Sequence, residues 1–233
     1  MKRRKIRSLS VSEIGMGCMG FSHGYGQVPG AGYAEEAIRE AFGYGCNFFD
    51  TAEGYGKELY YPGHNEEIVG RAVRGFRNEV VIATKLHIRP EAVEDCGSVY
   101  AAIRRHLERS LKNLQTDYVD LYYLHRINME VDYLEVAHAM GRLIQEGLVR
   151  EWGISAVDKA QLEAAHAVTP VGAVQNIYLW WSALLKKMSF LFAWETGLLL
   201  CRSHLSPADF YPEKLHRIRS SVRSMTCVYG FHN

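Results

Sequence analysis

Two rhythms of apolar and polar positions alternate along the chain. Short, mostly apolar runs recur at Phe48-Phe49, Val80–Ala83, Tyr118–Leu124 (broken only by Asp120) and Val171–Val174. A run that is apolar at nearly every position suits a strand buried on both faces, as in a parallel sheet. Between these runs, apolar residues at helical spacing predict helices over Tyr33–Tyr44, Glu66–Arg74, Ser98–Leu114, Tyr133–Gln145 and Lys159–Ala167. In the strongest of these, Ile103, Leu107, Leu111 and Leu114 form the stripe, and Arg104, Arg105, Arg109 and Lys112 the wet face. A weak alternation of Ile6, Leu9, Val11 and Ile14 predicts a hairpin at the start. The run Gly15–Gly20 reads as a small-residue strand where another backbone or a ligand comes close, and 21–32 as a glycine-rich loop.

Strands thus alternate with helices, the pattern of a parallel α/β sheet. The many consecutive strand–helix units favour a (β/α)8 TIM-barrel type over a doubly wound sheet. Six strands can be counted, with a seventh at Leu198–Cys201. A closed barrel needs eight, so the expectation is an incomplete barrel of about six to seven βα units with an unpaired edge.

Composition narrows the class. A chain of 233 residues with 48% hydrophobic and 23% charged residues is ordinary for a globular domain. A net charge of +1 argues against nucleic acid as a partner. The basic start, Lys2-Arg3-Arg4-Lys5, reads as a solvated arm, and the polar residues Ser8, Ser10, Ser12 and Glu13 interrupt any signal-peptide core. No run of eighteen apolar residues predicts a membrane span. Five cysteines without a CxxC pair suggest free thiols in a reducing compartment, so a soluble cytoplasmic protein is expected. Cys18 and Cys46 read as core residues. His64 and His87 show no metal-ligand spacing, and Ser155 has no GxSxG elbow; no metal is expected.

The candidate chemistry lies at strand ends. Phe48-Phe49 delivers Asp50, and a glycine-flanked Tyr55 follows; the next two strands end at Lys85 and His125. Each residue alone has a structural explanation: a loop anchor, a solvated lysine, a hydrogen-bonding histidine, a capping acid. In a (β/α) barrel, however, the C-terminal ends of all strands converge on one mouth. There an ammonium could lower the pKa of a phenol, an acid could fix the ammonium, and a histidine could hydrogen-bond a substrate oxygen. Such a group could protonate an oxygen on which negative charge develops, as carbonyl reduction by hydride requires.

The strings Gly15–Gly20, Phe48–Gly56, Asn65–Glu67, Val81–Lys85, Thr116–Arg126 and Trp152–Ser155 resemble the aldo-keto reductases. The likeness is to the branch of general NADP-dependent oxidoreductases that includes plant and microbial aldehyde reductases, and it covers roughly residues 2–181. The resemblance implies NADPH bound at the mouth without a Rossmann domain, and a small-molecule carbonyl substrate. It also implies Tyr55 as proton donor, Lys85 lowering its pKa, Asp50 supporting Lys85 and His125 orienting the carbonyl. Gly20, Asp50, Ser155 and Gln175 match cofactor-binding positions, the last two those that hold the nicotinamide carboxamide. Ala156 stands where the family often has Asn or Glu.

Residues 1–181 are thus expected to form the barrel-like unit and 182–233 a divergent segment. The segment has seven Lys or Arg against three acids, and Ser206-Pro207 is followed by Ala208-Asp209 instead of the family's Leu-Gly. A C-terminally truncated or frame-shifted chain is the expectation. Two rivals to an active reductase follow: a fragment with little or no activity, and a non-catalytic accessory subunit like the barrel-shaped partners of potassium channels, supported only by the shared fold.

Overall fold

A hairpin of β1 (Arg3–Ile6) and β2 (Leu9–Ser12) opens the chain. The computed structural model describes residues 1–22, 28–177, 199–203 and 225–229. Trp180, Trp181 and Ser206-Pro207 lie outside the described residues. After the hairpin the order is β3 (Ile14–Gly17), α1 (Ala31–Gly43), β4 (Phe48–Asp50), α2 (His64–Val73), β5 (Val81–Leu86), α3 (Pro90–Cys96), α4 (Val99–Leu114), β6 (Val119–Leu124), α5 (Tyr133–Gln145), β7 (Val149–Ser155), α6 (Lys159–Val168), β8 (Ala173–Ile177), β9 (Leu199–Ser203) and β10 (Met225–Tyr229).

Strands β3 to β9 pair in sequence order, each parallel to the next. These are the seven parallel strands anticipated from the chain, with β9 in the place of the run at Leu198–Cys201. The parallel set stops at seven, as expected, and the place expected to be open is filled by a strand of the opposite direction. Strand β10 pairs antiparallel with both β3 and β9 and closes the ring of eight. The predicted first strand also stops early: after Gly17 the chain enters a 3-10 turn at Met19–Phe21. The short helix α3 has no long apolar stripe; it starts from Pro90 at its first turn and ends at Gly97 in the left-handed region. Among the described residues no helix is long and apolar enough to cross a membrane.

The barrel has two cores. Phe48, Val81, Ala83, Leu121, Tyr123 and Ala173 fill the interior with Ile6, Leu9 and Val11 of the hairpin, which plugs the N-terminal end. The hairpin is fastened there: Ser12 N donates to Asn47 Oδ1 at 2.6 Å, and Arg7 pairs with Glu151 at 3.1 Å. The outer core includes Phe49, Ile82, Tyr122, Leu124, Trp152, Ile154 and Val174, packed under the helices. Side chains alternate along a strand. Since Phe48, Ala83, Tyr123 and Ala173 point inward, Asp50, Lys85, His125 and Gln175 point inward too, one layer higher. Gly153 leaves room for the Tyr123 ring, into which a Cβ there would run.

Helix α2 lies close against α4. A Cβ on Gly70 would come within 2.5 Å of the Leu114 carbonyl oxygen, a backbone atom that cannot swing away. Gly70→Ala is expected to destabilise the fold by about 1–3 kcal/mol through overpacking. Gly75→Ala, whose Cβ meets nothing within 4 Å, should stay within about 0.5 kcal/mol of wild type. Urea unfolding of both variants checks this, and equal stabilities would contradict the close approach.

Candidate active site

Strand alternation assembles the site from neighbours in the sheet. Asp50 ends β4, Lys85 lies near the end of β5, and His125 follows β6 directly. Ser155 and Gln175 are register partners on β7 and β8. The β4–α2 loop carries Tyr55 back over this layer.

Lys85 is fully buried. Its ammonium donates to Asp50 Oδ1, to the Thr51 carbonyl at 2.8 Å and to the Tyr55 hydroxyl at 3.4 Å. Burial alone would pull this ammonium down, but the adjacent Asp50 carboxylate and Tyr55 hydroxyl outweigh that and hold it above its ordinary value. Asp50 accepts a second bond on Oδ2 from Gln175 Nε2 at 2.9 Å. The Tyr55 and His125 rings meet edge-on with centroids 5.9 Å apart.

The expected lowering of the Tyr55 pKa is not the net result. Burial pushes the hydroxyl up; the Lys85 charge opposes this and the Asp50 charge adds to it, leaving Tyr55 above its ordinary value. The phenol therefore stays protonated throughout the neutral range. His125 moves the other way. Burial, with the positive charges of Lys85 and Arg126 beside it, lowers its pKa to about 3, so its imidazole is neutral.

Of the residues anticipated from the sequence, Asp50, Tyr55, Lys85, His125 and Gln175 come together. Ser155 joins them through Arg126, whose Nη1 donates to Ser155 Oγ at 2.9 Å and to the His125 carbonyl at 2.5 Å. Gly20 lies in the 3-10 turn after β3. Positive φ at Ala156 (55°) turns the chain sharply away after Ser155.

Several supporting residues escaped sequence reasoning. Glu53, two residues before Tyr55, accepts from the His87 amide at 2.8 Å and contacts His106 Nδ1 at 2.7 Å and Arg109 at 3.2 Å. Burial works to raise its carboxyl, but these partners outweigh it and hold Glu53 below its ordinary value. Asn65 accepts from Thr51 Oγ1 at 2.6 Å and donates to the Cys18 carbonyl and to Ser22 Oγ. Glu66, also buried, accepts from Thr84 and Asn113. A polar residue at the start of a helix reads as solvated unless its distant partners are known.

A barrel with these groups at its mouth defines a class that comparison makes specific. The profile of the Aldo/keto reductase family matches residues 13–198, and the chain belongs to that family. It is 34% identical over 180 residues to a probable aldo-keto reductase of Glycine max, covering 76% of this chain and 50% of that protein. A thermostable aldo-keto reductase crystallised with the inhibitor epalrestat superposes with a TM-score of 0.76 at 28% identity, covering 93% of this chain and 77% of the other. An aldo-keto reductase of Klebsiella pneumoniae in complex with NADPH gives 0.69 at 30% identity, covering 86% and 67%. The chain spans about half the length of the curated relatives it matches.

Two outcomes follow from the buried charges. Lys85→Met leaves the Asp50 carboxylate buried and unpaired, and should destabilise by roughly 3–5 kcal/mol. Adding Asp50→Asn should recover part of this in urea unfolding, and purely additive losses would show that the pair is not coupled. An unfolded histidine protonates near pH 6.5, whereas His125 does so only near pH 3. The unfolded chain thus binds the extra proton in that window, and His125 contributes stability that is lost as pH falls from 6.5 towards 3. The His125 ring resonances should not titrate between pH 8 and 4.5 by NMR; a midpoint near 6.5 would contradict the buried, neutral assignment.

Proposed function

We propose that this chain binds NADPH and reduces aldehydes or ketones to alcohols, with Tyr55 as the general acid. The observation that carries this reading is the Asp50–Lys85–Tyr55 chain of contacts, with His125 edge-on to the Tyr55 ring. The residues fit the nicotinamide end of the cofactor. A carboxamide offers one acceptor and one donor group, and Ser155 and Gln175 set a hydroxyl and a primary amide side by side on adjacent strands. NADPH, when bound, would supply the hydride for the carbonyl carbon, becoming NADP⁺.

This chain's residues do the rest. His125, neutral, donates a hydrogen bond to the carbonyl oxygen and orients it. Tyr55 gives its proton to that oxygen as charge develops there, and takes one back from solvent. Lys85 stabilises the phenolate left behind, and Asp50 holds Lys85 in place while Gln175 holds Asp50. The pKa values of Tyr55 and His125 are displaced in opposite directions, so the phenol is protonated and the imidazole uncharged at neutral pH. Those are the forms these roles need.

NADPH titration of the purified chain should saturate, and aldehyde addition should then consume the cofactor. Tyr55→Phe should bind NADPH as well as wild type but lose about 10²–10⁴-fold in kcat. Retained turnover in that variant refutes the role of Tyr55. No saturable binding up to millimolar NADPH refutes the reductase reading and favours the fragment with little or no activity.

A further inference from the structure

The mouth of the site carries an unneutralised cation. The cationic side chains whose charge acts on His125 are Lys85, Arg126 and Lys57, while the neighbouring His87, its pKa lowered by burial, is neutral. The acids nearby are already engaged. Asp50 is paired with Lys85, and Glu53 is taken up by the His87 amide, His106 and Arg109. Lys57 lies 3.7 Å from Glu58. Arg126 makes no ion pair with any acid among the described residues, and it is exposed.

The way Arg126 is held decides what it can do. A guanidinium has five N–H donors in a fixed planar fork. Nη1 is committed to Ser155 Oγ at 2.9 Å and the His125 carbonyl at 2.5 Å. These two bonds hold the Nη1 end of the fork against Ser155 and the His125 main chain. They leave the Nε–Nη2 edge without a partner among the described residues. That edge is the one whose two parallel N–H groups match the two oxygens of a carboxylate. A bidentate pair of this kind is stronger and more directional than a bond from a flexible ammonium.

We propose that Arg126 receives a carboxylate on the substrate through its Nε–Nη2 edge, so that the site selects oxo acids, carbonyl compounds that carry a carboxylate a few bonds from the carbonyl to be reduced. The inference rests on the reductase reading for the chemistry, but the anion site itself stands on the geometry of Arg126. The substrate would be gripped at two points. Its carbonyl oxygen lies at Tyr55 and His125, and its carboxylate at Arg126, which is tied to His125 through the main chain. Neutral aldehydes would keep only the first point.

The test uses matched pairs that differ in charge but scarcely in shape: succinic semialdehyde and 4-carboxybenzaldehyde, each against its methyl ester. The full chain with NADPH should favour each acid over its ester by about tenfold or more in kcat/KM. Arg126→Gln should reduce the acid-to-ester ratio about 10–100-fold, mainly through the KM of the acid, and Arg126→Lys should restore part of it. Calorimetric binding of terephthalate, which cannot be reduced, should weaken in the same order. An acid-to-ester ratio near one in wild type, or a ratio unmoved by Arg126→Gln, overturns the proposal. So does a rise in the NADPH Kd of Arg126→Gln with acid and ester falling together, because Arg126 would then serve the cofactor. A chain that binds terephthalate through Arg126 but reduces no aldehyde would refute the reductase reading while upholding the anion site.

Discussion

The buried ion pair of Lys85 and Asp50 is the constraint on which the rest of the barrel mouth depends. An ammonium with no solvent exposure costs several kcal/mol in lost hydration, and it is tolerated only where opposite charge and oxygen acceptors surround it. Asp50, the Thr51 carbonyl and the Tyr55 hydroxyl meet that demand. Each in turn is held by something further out. Gln175 on β8 holds Asp50 from the far side of the barrel, and Thr51 is tied through Asn65 to α2 and to the Cys18 carbonyl after β3. The charge in the centre thus joins β3, β4, β5, β8 and α2 in one polar network.

Burial and charge act against each other at Tyr55. Lys85 favours the phenolate, yet burial prevails and keeps the hydroxyl protonated. The attraction of Lys85 would then be fully expressed only in the ionised form of Tyr55, the form the proposed proton transfer leaves behind. A site that merely lowered the phenol's pKa would spend that attraction in the ground state instead. The loop that carries Tyr55 is steadied by Glu53, which reaches the β5–α3 loop and helix α4. The position of Tyr55 therefore depends on residues more than thirty positions away.

Most of the barrel and the inward-facing candidates were legible because strand physics leaves a plain trace. Val80–Ala83 and all of Val119–Leu124 except Asp120 are apolar or aromatic because both faces are buried, and the charged or ring-nitrogen residue at or just beyond each run, Lys85 or His125, falls within one residue of the strand's end. That signal marks β4, β5, β6 and β8, and the small-residue run at Gly15–Gly20 and the helix spacing supply the places of the others. Three features left no such trace. Helix α3 is one short turn-rich segment whose Ala92 and Val93 are too few for periodicity. Strand β10, Met-Thr-Cys-Val-Tyr, is β-like in composition but brief and preceded by Arg217, Arg219 and Arg223, and nothing local announces an antiparallel return. The buried acids Glu53 and Glu66 look solvated in sequence, since the partners that satisfy them lie on α4 and β5. The direction of the Tyr55 shift was missed for a related reason: the sequence names the neighbouring charge but not the depth of burial.

The closing strand has a consequence for how the chain reaches this structure. Met225 pairs with Met16, so the seam of the ring joins residues 209 positions apart. Contacts at such separation form late, because the chain entropy of closing the loop is lost before the pairing returns anything. During synthesis at roughly 5–20 residues per second, β3 emerges first and waits for a partner that is translated after every other described strand. Until then β3 and β9 both present unpaired backbone. The seam is therefore the last step of assembly, and the interval before it is when the nascent barrel is most open to pairing with another chain.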